Sequence, residues 1–335
     1  MKCIYHNDAD GHCSAAIVRL ELVNNFEPLS AKDFIKYTHG KTIEIEPEDI
    51  REGETVYIVD IALDKIILSL ITICAAHNCK IVHIDHHIGG KRYHDELTGF
   101  DKELYDNNVI TFYREDVSGA MLTWIYACMN EEERKHPNDV PLEFANEHTH
   151  VELNPCDSSA KREYRIPYAV RYIDDNDVWR HELEQSKYFA LAYTICNNHP
   201  LEMIFWGELL YEDQAVDAKV FELVKTGETL YKFQEKLNKQ ANDNGFEYEI
   251  DGFKGWVVNC PIGNSRLFGE KYDEYDFVCK YAYDGSIDKW RYTFYSKKDS
   301  EFDCADVCQK DFNGGGHHGA AGGWLEYNIF DKNHM

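Results

Sequence analysis

Three short stretches of this chain place side chains that bind metal ions directly after apolar runs of strand length. Lys2-Cys3-Ile4-Tyr5 leads into His6-Asn7-Asp8-Ala9-Asp10-Gly11, Val56-Tyr57-Ile58-Val59 into Asp60, and Lys80-Ile81-Val82-His83-Ile84 into Asp85-His86-His87. Carboxylates and imidazoles at the end of a buried strand are costly to desolvate unless they are paired or hold a cation. A hydrolytic site built on two ions needs about six or seven such ligands from several strands, with one carboxylate shared between ions roughly 3.5 to 4 Å apart. His6, Asp8 and Asp10 alternate, so in an extended or tightly turning backbone they can face two neighbouring ions. Asp60, a lone acid at the end of its strand, is suited to bridge, His86 to complete one shell and His87 to contact phosphate. Mixed imidazole and carboxylate donors suit manganese, and magnesium less well.

Each feature has a plainer reading by itself. Asp60 would serve equally as a helix cap. Asp8-Ala9-Asp10-Gly11 imitates the middle of a calcium-binding EF-hand loop, but aligning its glycine puts His6 first and Ile17 where the bidentate glutamate belongs. The four features together are what point to a metal centre.

The elements that must position these residues follow from the pattern around them. Ser14 to Asn24 has helical spacing, with Ser14 as a candidate cap, Asp33 to Tyr37 reads as a strand, and Ala62 to His77 as a strongly apolar helix. Alternating strands and helices predict right-handed crossovers and a parallel sheet, in which ligands bind at the carboxyl ends of the strands. Ser118-Gly119 opens another helix, Ala120 to Met129. Residues 131–165 turn polar, with Pro137, Pro141 and Pro155, and read as an insertion of short elements whose His148 and His150 are surface loop histidines. Order resumes from Ile166 to Trp179, where Asp174, Asp175 and Asp177 lie among Ile, Val and Trp and suggest another wall of the cleft.

From Pro200 to about Asn244 the spacing is helical, interrupted at Gly227. Beyond it Trp256-Val257-Val258, Phe277 to Tyr281 and Trp290 to Tyr295 read as strands, with Asp284-Gly285 as a turn. Gly314, Gly315 and Gly316, followed by His317 and His318, lack the Lys-Ser/Thr of a Walker phosphate loop. Glycines ahead of a helix can still offer backbone N–H groups to a phosphate, and either histidine can add a donor; the plainer reading is a tight turn with helix packing through Ala320 and Ala321. The expected fold is α/β: a parallel-sheet domain at 1–195, a helical connector at 196–245, and a smaller α/β domain with a mixed sheet at 246–335.

Composition bounds the partners. A formal charge of −25, from 60 acids against 35 bases, argues against long nucleic acid, whose binding depends on basic surface that releases counterions. No run of about 18 apolar residues is present to cross a bilayer, and Met1 to Tyr5 leaves no room for a signal-peptide core before His6. A soluble, cytoplasmic protein without membrane contact is expected. The 11 cysteines form no Cys-x-x-Cys pair and read as reduced core residues.

Taken in order, the motifs resemble the DHH phosphoesterase family, in the branch with a C-terminal DHH-associated domain. They are His-x-Asp-x-Asp-Gly at His6 to Gly11, the lone Asp60, Asp85-His86-His87, the acidic segment at Tyr172 to Trp179, and Gly-Gly-Gly-His-x-x-Ala-Ala-Gly at Gly314 to Gly322. The segment Tyr-Ile-x-Asp-x-Asp-x-Trp is most similar to that of the small oligoribonuclease (nanoRNase) group. The resemblance implies one manganese ion held by His6, Asp8 and Asp60, and a second held by Asp10, Asp60, His86 and Asp175. Asp85 would act from outside the ring of metal ligands, and His87 would hold the substrate phosphate together with the histidine of the glycine stretch. Asp174 and Asp177 compete with Asp175; Asp175 occupies the first fixed acid of the motif. The implied activity is two-metal hydrolysis of short oligoribonucleotides to mononucleotides, with a homodimer as a compatible assembly. The rival readings are a cyclic or linear dinucleotide phosphodiesterase, an adenosine bisphosphate phosphatase, and a nucleotide-binding regulator on an inactive scaffold.

Overall fold

Cys3 and Tyr5 face one core while Ile4 faces another, and the alternation repeats at Tyr57 and Val59 against Val56 and Ile58. A strand whose two faces are both apolar must be covered on both sides. The computed structural model describes residues 1–23, 28–38, 43, 45–145, 148–153, 161–211, 214–297 and 299–331. It divides into two compact units, Met1–Leu230 and Tyr231–Met335.

The sheet of the first unit has five parallel strands in the order β2-β1-β3-β4-β5. These are β1 (Lys2–His6), β2 (Phe34–Tyr37), β3 (Thr55–Val59), β4 (Lys80–Asp85) and β5 (Val109–Tyr113). One face is covered by α2 (Lys65–Ala76) and α4 (Gly99–Asn108), and α3 (Ile88–Glu96) follows β4. The other face carries α1 (Ala9–Ile17) and α5 (Gly119–Cys128), then α6 (Tyr168–Asp177), α7 (Ser186–Tyr193) and α8 (Met203–Leu210). Chain order reverses between β1 and β3, and at such a switch point the loops part to leave a crevice at the carboxyl ends of the strands.

Several local expectations are corrected. The cap of α1 is Asp8, which accepts from the Gly11 amide at 2.9 Å, and Ser14 is buried inside the helix. Gly227 does not interrupt α9 (Gln214–Asn242), because a Cβ there would lie 1.8 Å from the Tyr188 carbonyl oxygen: the glycine lets the two backbones touch. The connector expected at 196–245 is not a separate piece. Trp206, Leu209, Val220 and Leu223 belong to the core of the first unit, and the division falls inside α9.

Residues 131–165 do carry short elements, among them an antiparallel sheet of β6 (Leu142–Phe144), β7 (His150–Leu153) and β8 (Arg162–Arg165). Pro155 lies outside the described residues. Ahead of that sheet, the Asn138 carboxamide accepts from the Tyr113 amide at 2.9 Å and donates to the Thr111 carbonyl at 3.0 Å, so it occupies the outer edge of β5. His148 is no loose loop residue: its ring stacks on Phe144 at 4.4 Å and lies 3.6 Å from Asp174.

The second unit is a six-stranded mixed sheet, order β13-β14-β12-β11-β10-β9. It comprises β9 (Phe246–Ile250), β10 (Phe253–Asn259), β11 (Phe277–Asp284), β12 (Lys289–Tyr295), β13 (Gly315–His317) and β14 (Ala320–Leu325), with short α10 (Lys271–Glu274) and α11 (Cys304–Asp311). Only β10 and β11 run parallel. The glycine stretch does not precede a helix. Gly315 pairs with Gly322 in a hairpin, and Ala320 and Ala321 lie on a strand. No helix among the described residues is long and apolar enough to cross a membrane.

Candidate metal centre

The ends of β1, β3 and β4 bring their side chains to one point. His6 Nδ1 lies 2.5 Å from Asp8 Oδ2 and 3.7 Å from Asp60 Oδ2. His86 Nε2 lies 3.2 Å from Asp60 Oδ1, 3.7 Å from Asp10 Oδ2 and 3.5 Å from Asp177 Oδ2. The two oxygens of Asp60 therefore face two different groups of donors, His6 with Asp8 on one side and His86 on the other. Within each of the trios His6, Asp8, Asp60 and Asp10, His86, Asp177, one ligand atom per residue lies within 4.8 Å of the others; Asp60, His86 and His87 form a third such group.

Backbone geometry aims these groups. Asp60 sits in the left-handed region at φ 57°, with its amide bonded to the Ile84 carbonyl at 2.9 Å. That conformation is uncommon outside glycine, and aspartate tolerates it better than most residues. Asp10, in the first turn of α1, accepts from the Gly119 and Ala120 amides at 2.7 and 2.8 Å, so the N-terminus of α5 holds its carboxylate in place. A Cβ on Gly119 would stand 2.7 Å from the Asp60 Cβ, which is why α5 can start so close to the acids.

The electrostatics describe a site that wants cations. Burial, followed by the charges of Asp10, Asp8 and Asp177, pushes the Asp60 carboxyl well above the usual range. Burial likewise raises Asp10, and burial with the charges of Asp10 and Asp8 lifts Asp177 to about 8. Asp60 Oδ2 is enclosed and receives no hydrogen bond among the described residues. Four acids crowded this way repel one another, and oxygen and imidazole donors around an enclosed, unbonded carboxylate oxygen fit divalent ions.

Asp85 plays a different part. Burial opposes its ionisation, but the hydrogen bond from His87 Nδ1 at 2.7 Å and the charges of His83, His87 and His86 together outweigh it and hold the carboxyl below its usual range. Burial opposes protonation of His87 in turn, and the Asp85 bond and charge, with Asp10 and Asp177, raise it above an ordinary imidazole. A carboxylate behind Nδ1 fixes the tautomer and leaves Nε2 as the working nitrogen.

No protein-family model matches the chain, and no curated protein matches its sequence. Among solved structures, it is similar to a pGpG-specific phosphodiesterase, PggH, from Vibrio cholerae: 13% identical, covering 99% of this chain and 95% of that one, TM-score 0.47. An exopolyphosphatase-related protein from Bacteroides fragilis is 14% identical over 98% of this chain and 88% of that one, TM-score 0.43. An uncharacterized protein from Helicobacter pylori G27 is 17% identical over 98% and 93%, TM-score 0.37. With every TM-score below 0.5, these likenesses decide neither family nor activity.

The cluster gathers Asp177 where the resemblance pointed to Asp175. Asp175 Oδ1 accepts from the Glu182 amide at 2.8 Å, and its Oδ2 accepts from the Ser186 hydroxyl at 2.5 Å, so it is spent on the loop after α6. Asp174 accepts from the Ser118 amide at 2.7 Å and pairs with Arg180 at 2.7 Å. Three acids within four residues gave no way to choose among them without the phase of α6. Two other contributors were hidden in Ser118-Gly119-Ala120: the amides that hold Asp10. The only sequence signal for them is a helix opening on a glycine. In the second unit, His318 lies 3.2 Å from Asp303 and is hydrogen-bonded to the Ser300 carbonyl at 2.9 Å, and its own carbonyl accepts from the Cys304 amide, whereas His317 is exposed.

Proposed function

We propose that this protein is a two-metal phosphoesterase that hydrolyses the phosphodiester bonds of short oligoribonucleotides to mononucleotides. The observation that carries the reading is Asp60, whose two oxygens face separate donor groups built by His6 with Asp8 and by His86 with Asp10 and Asp177. A shared carboxylate between two such groups is what a pair of ions requires. His6, Asp8 and Asp60 would hold one ion, and Asp10, Asp60, His86 and Asp177 the other; the donor mixture favours manganese, with magnesium as a weaker substitute. When bound, the ions would supply charge to the phosphoryl oxygens and activate water for in-line attack.

The chain's own residues supply orientation and a proton. His87, protonated more readily than usual because Asp85 backs it, can donate from Nε2 to a phosphate oxygen. The Gly119 and Ala120 amides hold the Asp10 carboxyl in place and aimed. In the second unit, the exposed His317 beside Gly314, Gly315 and Gly316 offers a donor suited to an anionic group of the same class of substrate. The net charge of −25 supports short substrates over long polyanions, since local groups can meet few phosphates.

The test is a panel of labelled dinucleotides, RNA of two to twenty nucleotides, cyclic dinucleotides and adenosine bisphosphate, each incubated with the protein and manganese. Mononucleotides released fastest from the shortest linear RNA support the reading. Release of phosphate from adenosine bisphosphate alone, opening of cyclic dinucleotides alone, or equal rates along the RNA ladder would each replace it. No turnover of any member, with binding retained, favours a nucleotide-binding regulator.

A further inference from the structure

A tryptophan stands where the chain should prefer glycine. Helix α6 ends at Asp177, its cap is Val178, and the next residue, Trp179, has φ 57°. Helices commonly close on a left-handed residue at this position, and glycine is the usual choice because it has no Cβ to strain. A bulky residue there is a true outlier, and such strain persists only where the surroundings enforce it.

The surroundings do enforce it. The Arg180 and His181 amides both donate to the Asp175 carbonyl, at 3.0 and 3.2 Å. The Asp175 carboxylate then accepts from the Glu182 amide at 2.8 Å, from the Leu183 amide at 3.3 Å and from the Ser186 hydroxyl. Arg180 anchors the loop from the other side, to Asp174 Oδ2 at 2.7 Å and to the Asp116 carbonyl at 3.0 Å. Yet the indole that this clamp presents is not used for packing: Trp179 is 70% exposed. Its one ring neighbour among the described residues is His181, itself left-handed at φ 52°, set edge-on at 5.5 Å and 71°.

Position gives the exposed ring a use. Trp179 follows Asp177 by two residues, so their Cα atoms are at most roughly 7 Å apart, and Asp177 Oδ2 is 3.5 Å from His86 in the candidate metal centre. A nucleotide with its phosphate at that centre has its base about one ribose away. We infer that Trp179 is a stacking platform for a base of the nucleotide substrate, held out beside the metal centre by Asp175. This rests on the phosphoesterase reading and deepens it: the substrate must carry a base, and because every base has a flat π-face, the platform favours no particular one. Asp175 is on this account a positioning residue for the platform, which explains a buried acid beside the cluster that is not part of it.

The test turns on relief of strain. Trp179→Gly should melt at or above the wild-type temperature, because glycine suits the conformation, while its KM for the dinucleotide pApA rises about tenfold or more. Its kcat/KM on the same dinucleotide with abasic sugars should stay at the wild-type value, and Trp179→Phe should restore most of the pApA affinity. An unchanged KM for pApA in Trp179→Gly overturns the platform, as does an equal loss on the abasic probe. A lower melting temperature for Trp179→Gly also overturns it, because the indole would then be structural. So does a change of oligomeric state with KM unchanged, which would make the ring a contact for a second copy. If the wild type cleaves neither probe, the phosphoesterase reading fails separately, and fluorescence of 2-aminopurine in the dinucleotide decides the platform. Quenching by the wild type that Trp179→Gly abolishes supports it, and any other result overturns it.

Discussion

Replacing Gly119 with alanine adds one methyl group at the point where α5 meets both Asp60 and Asp10. The new Cβ would lie 2.7 Å from the Asp60 Cβ, 3.1 Å from its Cα and 3.0 Å from Asp10 Oδ2. Carbon atoms rest at about 3.5 to 4.0 Å, so the helix must withdraw by about 0.8 Å or Asp60 must turn. Withdrawal would stretch the bonds from the Gly119 and Ala120 amides to Asp10, now 2.7 and 2.8 Å, to about 3.5 Å, past the useful range. Helix propensity opposes this by about 1 kcal/mol in favour of alanine. Overpacking costs about 1 to 3 kcal/mol and each weakened bond to a buried charge about 1.5 to 3 kcal/mol, so the unfavourable side wins. The variant should keep its far-UV circular dichroism, bind manganese about tenfold more weakly by calorimetry, and lose turnover of pApA by about a hundredfold, as expected for an ångström-scale misplacement. Gly89→Ala, whose Cβ would meet nothing within 4 Å, is the silent control. A Gly119→Ala protein with wild-type manganese affinity and melting temperature would refute the packing argument.

The remaining expectations are briefer. Asp177→Asn should abolish tight manganese binding with the fold intact, whereas Asp175→Asn should leave metal binding largely in place and lower the melting temperature by several degrees, because an amide nitrogen replaces one of the two oxygens that accept from Glu182 and Ser186; matching calorimetric titrations for the two variants would reverse the assignment. Chelation should silence the enzyme and added manganese restore it, and manganese should raise the melting temperature as its concentration rises, because an ion that binds only the folded state shifts the equilibrium by mass action; a melting curve indifferent to manganese contradicts the site. Burial opposes ionisation of Asp33, but the Ser30 amide and Lys2 hold its carboxyl below the usual range, so the stability it contributes is present above the ordinary carboxylate pKa and is lost as pH falls through the depressed one. Urea unfolding from pH 6 to 3 should therefore show the gap between wild type and Asp33→Asn closing toward pH 3, and a gap that widens would contradict the sign.

What was legible depended on whether a residue's environment leaves a pattern. Buried parallel strands read as apolar runs, so β1, β3 and β4 and the acids at their ends could be placed from residue types alone. β5 leaves no such pattern because most of its residues are only half-buried and include Thr111, and α3 and α4 leave none because each buries a single residue. Asp175 and Asp177 differ by about 200° around a helix, and no composition argument supplies that phase. The strand Ala320–Leu325 reads as a turn or helix because Gly322 and Gly323 offer no alternation of side chains, and its pairing with Gly315 and Gly316 is written only in backbone hydrogen bonds.

The carboxamide of Asn138 imitates one peptide unit of a neighbouring strand, receiving the Tyr113 N–H and returning an N–H to the Thr111 carbonyl. A sheet that ends in bare donors and acceptors is an invitation to polymerise, and here the polar insertion answers that invitation with a side chain, which can satisfy one register position but cannot template a further strand. The segment that reads in the sequence as an interruption thus acts as a terminator: at Thr111 and Tyr113 the outer edge of β5 is met by a side chain and not by a further strand.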